Sequence, residues 1–67
     1  MSEFKVVEVL KMEGSMMTGR TLGEDLSYRE ADSLYLSYQG RRKGDRKIQG
    51  TPNLIRQDDE NFIDIDT

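Results

Sequence analysis

The sequence predicts a single α+β domain over residues 1–67, with one capped helix packed on a three- or four-stranded, mainly antiparallel sheet. Three observations carry this expectation. Residues 4–12 are rich in β-formers, a capping box at Ser27 and Glu30 opens an apolar stripe of helical period, and residues 63–66 alternate between apolar and acidic.

The first strand rests on Val6, Val7, Val9 and Leu10, and Gly14 bounds it. Phe4, Val6, Leu10 and Met12 alternate with Lys5, Val7, Val9 and Lys11, so both faces carry apolar groups and the buried face stays undecided. Gly14 and Ser15 form a turn into a weaker extended segment, residues 16–22. Gly19 and Gly23 interrupt the pattern of that second strand.

The helix is the clearest element. Ser27 caps its N-terminus, Glu30 returns the bond three residues later, and Leu26 before the cap is placed to pack against Ala31. Ala31, Leu34, Tyr35 and Tyr38 then recur at helical spacing, which gives one apolar stripe to set against the sheet. The helix is expected over residues 28–39, with Gly40 as its stop.

A basic run follows, in which Arg41, Arg42, Lys43, Arg46 and Lys47 surround a turn-like Gly44-Asp45 pair. Ile48, Gly50 and Pro52 fit a short edge strand or a loop, and Leu54 and Ile55 begin a further strand. Residues 58–61 turn the chain into the last strand. Its alternation puts Ile63 and Ile65 on one face and Asp64 and Asp66 on the other.

Size and composition narrow the function classes. A 67-residue chain with 34% hydrophobic and 34% charged residues buries only about 60% of the surface its extended form exposes. That leaves no room for a large cofactor pocket and makes a homo-oligomer as natural as a monomer. Without cysteine there is neither a disulfide nor a thiolate metal site, and without histidine the usual zinc ligand and neutral-pH general base are missing. The opening residues lack an apolar secretion segment, so a cytoplasmic location and no membrane association are expected. A net charge of −3 and a pI near 4.8 disfavour generic attraction to acidic surfaces.

Catalysis finds no support in this pattern. Glu30 and Asp32 are not aimed at one another by helical spacing, Glu30 already closes the capping box, and Ser27 has no histidine base. Residues 14–20 lack the glycine-lysine-hydroxyl ending of a phosphate loop. The acids Asp58, Asp59, Glu60, Asp64 and Asp66 do not fit an EF-hand, so no metal or cofactor is expected. Met12, Met16 and Met17 suit either a small core or an adaptable contact patch, and Tyr28, Tyr35 and Tyr38 suit packing better than base stacking.

What remains is recognition. The leading expectation is a small non-catalytic protein-interaction module, a regulator or inhibitor of a larger macromolecule. Arg41, Arg42, Lys43, Arg46 and Lys47 would meet an acidic patch, and Asp64 and Asp66 a basic one. One alternative is a nucleic-acid-binding regulator using residues 41–47, with Lys5, Lys11 or Arg20 extending the track. The other is a structural accessory protein that associates with itself.

Overall fold

The computed structural model describes residues 3–39 and 48–66. The basic segment and the expected stop at Gly40 lie outside them. Strand β1 (Phe4–Glu13) turns through Gly14 and Ser15 into β2 (Met16–Leu26), helix α1 (Tyr28–Ser37) follows, and β3 (Thr51–Arg56) and β4 (Phe62–Asp64) complete the chain. The sheet order is β3-β1-β2-β4, antiparallel throughout except where β4 runs parallel to β2. This is the expected α+β architecture, with four strands and one helix.

β1 lies inside the sheet because it is apolar on both sides. Val6 and Val7 are neighbours in sequence and each is 0% exposed, which an extended chain achieves only when both faces are covered. The helix covers one of them, packing across β1, β2 and β3, with Ala31 fully buried. On this side Val6 stands opposite Leu54 and Gly23, and the Phe4 ring meets Tyr28 edge-on at 5.2 Å with Arg56 on its other flank.

The capping box forms as the sequence dictates. The Glu30 amide donates to the Ser27 hydroxyl at 3.1 Å, and the Glu30 carboxylate accepts from the Ser27 amide at 2.9 Å. The Ser27 amide foremost, and the Ser27 hydroxyl after it, hold the Glu30 carboxyl below its usual range. The helix ends at Ser37, two residues earlier than expected, because the Tyr38 and Gln39 amides bond to the Tyr35 and Leu36 carbonyls in a tightened last turn.

β2 continues to Leu26, four residues past the expected end, despite its two glycines. Gly19 is required there: a Cβ built on it would overlap the Glu8 carbonyl oxygen of β1. Register shifts along the β1–β2 ladder bend the pair, and one of them leaves Leu10 as an extra residue between the Val9–Gly19 and Lys11–Thr18 pairs. Simple alternation groups Met12 with Phe4 and Val6. The bulge instead puts it opposite Met17, on the side of Val9.

The last strand is shorter than its sequence pattern. Asp64 accepts a bond from the Asp66 amide at 2.9 Å and turns the chain after three residues. Ile63 and Ile65 are 51% and 46% exposed, since the helix packs on the other three strands and does not reach β4. Phe62 instead packs against the core on the opposite side of the sheet.

Two substitutions separate these contributions. Gly19→Ala is expected to lower unfolding free energy by about 1–3 kcal/mol through overpacking against β1, and Ser27→Ala by about 1 kcal/mol through loss of the cap. Urea denaturation of both variants checks the magnitudes.

Candidate interaction surface

The sheet face turned away from α1 has no second layer among the described residues. Cross-strand pairing sets Lys5 beside Ile55, Val7 beside Asn53 and Val9 beside Thr51 on this side. Val7, Met17 and Ile55 form a buried cluster there, with Val9 and Phe62 packed against it. The Asn53 amide nitrogen lies 3.4 Å from the Met17 sulfur, and the Lys5 ammonium sits 5.1 Å from the centre of the Phe62 ring.

At the end where β3 begins, a groove of about 440 Å³ opens between the far half of β1 and β3, lined by Val9, Leu10, Met12, Met17, Pro52 and Asn53 among others. Met12 is 60% exposed and Leu10 is half-exposed at its rim. The bulge at Leu10 builds this groove by bringing Met12 onto the face of Met17. Of the three methionines named from the sequence, Met17 thus serves the core while Met12 lies on the surface.

The sequence-predicted acidic pair is engaged within the chain. Asp64 accepts a 2.7 Å bond from the Thr21 hydroxyl, and its carboxyl lies below the usual range because of that bond first and the Asp66 amide second. Asp66 faces the Arg20 guanidinium at 3.4 Å, while the same guanidinium lies 3.9 Å from the buried Glu8 carboxylate. Arg20 therefore joins β1, β2 and the C-terminal turn. Arg41, Arg42, Lys43, Arg46 and Lys47 lie outside the described residues.

Among the described residues Lys5, Lys11 and Arg56 are engaged likewise. Lys11 pairs with Glu13 at 2.7 Å, Arg56 lies 3.5 Å from Asp58, and Lys5 is set over Phe62. Among the described residues no three acidic side chains converge as metal ligands, and no helix is long and apolar enough to cross a membrane.

The groove was not legible as a site in the sequence. Its residues come from three strands, β1 and β3 lying about forty positions apart, and no local signal marks the extra residue at Leu10. The methionine-rich run around it was the accessible hint.

No protein-family model matches the chain, and no curated protein or solved structure matches it either.

The Asp64 geometry makes stability depend on pH. Because the folded carboxyl titrates below its unfolded value, its stabilising contribution is complete at neutral pH and is lost as pH falls through the folded value. Thermal unfolding from neutral to acid pH should show Asp64→Asn less stable than the parent at neutral pH, the gap closing on acidification.

Proposed function

We propose that the chain is a small non-catalytic protein-interaction module, a regulator or inhibitor that works by occupying a surface of a larger macromolecule through its open sheet face. The observation that carries this reading is the groove beside Met17, with the exposed Met12 side chain on its rim. Flexible thioethers adapt to an irregular apolar surface, and Lys11 supplies a charged margin. A partner side chain inserted between Leu10 and Pro52 would gain apolar contact from both strands without displacing the core. The neighbouring Asn53 and Thr51 offer polar groups to fix its orientation.

The phosphate-track alternative gains nothing from the described residues, since Lys11 and Arg20 face carboxylates and Lys5 an aromatic ring.

A photo-reactive residue at position 12 is expected to crosslink a specific protein in cells, whereas the same probe at the exposed Glu24 is not. Met12→Glu should weaken binding of that partner about tenfold or more with the melting temperature unchanged. Identical crosslinks from both positions, unaltered affinity of Met12→Glu, or binding to mixed-sequence DNA or RNA that falls steeply with salt would overturn the reading.

A further inference from the structure

β3 is an edge strand, and its free side has a distinctive pattern of hydrogen-bonding groups. In an antiparallel ladder alternate residues exchange bonds with the neighbouring strand, and those between them point their N–H and C=O away from it. The Gln57 amide bonds to the Glu3 carbonyl at 2.7 Å, one step beyond the Arg56–Phe4 pair. That parity assigns Thr51, Asn53 and Ile55 to the side bonded to β1, and turns the backbone groups of Pro52, Leu54 and Arg56 outward.

These outward groups are not all available. Proline has no N–H, and the Arg56 carbonyl already accepts from the Asp59 amide at 3.1 Å. What the edge offers is an acceptor at Pro52, a donor and an acceptor at Leu54, and a donor at Arg56. Among the described residues none of these has a partner.

The set is complementary to itself. We propose that β3 pairs antiparallel with β3 of a second copy of this chain, about a two-fold axis at Leu54. In that register Leu54 exchanges both bonds with Leu54 of the second copy, and the Arg56 N–H of each chain meets the Pro52 carbonyl of the other. The missing Pro52 N–H falls opposite the Arg56 carbonyl that Asp59 already occupies, so no outward group is left unpaired. Sliding the register by two residues sets Leu54 against Pro52 and leaves a Leu54 carbonyl without a donor. Pro52 thereby disfavours that slipped register, and the two-fold contact closes on itself.

The side-chain surroundings agree. On the helix side of this edge lies a groove of about 410 Å³ walled by Tyr28, Asp32 and Tyr35 of α1 and by Phe4, Leu54 and Arg56 of the sheet. Leu54 of the second copy would arrive on this side, since side chains directly opposite in an antiparallel pair share a face. A two-fold contact buries this groove twice and adds apolar contact to a chain whose own core is small.

The test uses the intact chain in sedimentation equilibrium from micromolar to millimolar concentration, with amide hydrogen exchange followed by NMR at both extremes. The expected result is a mass rising toward twice that of one chain, with the Leu54 and Arg56 amides gaining protection as it rises and the Asn53 and Ile55 amides protected throughout. A chain that stays monomeric, or one that dimerises while Leu54 and Arg56 exchange as in the monomer, overturns the proposal. Arg56→Pro removes an outward donor and no bond to β1, so it should keep its fold by circular dichroism. Because the loss repeats on both sides of the axis, dimerisation should weaken about tenfold or more, whereas Arg56→Ala, which keeps the amide, should dimerise as the parent does. Equal dimerisation of Arg56→Pro and Arg56→Ala would also overturn it.

Discussion

The rest of the structure follows from the burial of two consecutive side chains, Val6 and Val7, on opposite faces of one strand. Each valine gains about 1.5–3 kcal/mol only when water is removed from its own side of the sheet, so β1 needs strands on both edges and cover on both faces. Among the described residues, one helix supplies full cover on one side only. On the other, Val7 is sealed by Met17 and Ile55, with Val9 and Phe62 around them. The second face is therefore a layer of side chains one residue deep, and its rim is where apolar surface reaches solvent.

Closing both edges of β1 constrains its neighbours in turn. β2 comes so near that only glycine fits opposite Val9, where a Cβ would overlap the Glu8 carbonyl, and the bulge beside it absorbs the mismatch between the two strands. The same bulge moves Met12 beside Met17 and opens the groove toward Pro52. A packing requirement at Gly19 thus becomes a surface feature at Met12. Arg20, next in the chain, holds the bent region to the C-terminal turn through Asp66 while its guanidinium offsets the buried Glu8 charge.

Much of this was legible locally. The capping box, the helical stripe and the first strand depend on neighbours three or four positions apart, and each formed close to its expected place. The C-terminal alternation separates two faces but does not say which is covered: Ile63 and Ile65 form an apolar row, and α1 does not reach β4 to cover it. Phe62 and Asp64 face the other way, where Met17 and Thr21 receive them. Strand order and the Leu10 bulge were hidden because both depend on how distant strands meet, which the period of a single strand does not encode. The groove inherits that dependence.

The open face and the β3 edge make different demands on a partner, and this allows both to be used at once. The face offers side chains, so it selects for shape and apolarity; the edge offers backbone groups, so it selects for an extended chain in one register. A two-fold axis normal to the sheet keeps the helices of both copies on one side and both open faces on the other. Pairing through β3 would then extend the face into one surface with two grooves. A macromolecule engaging both grooves would gain from the second at the local concentration set by the first, so self-association would strengthen the docking of a partner without touching the residues that contact it.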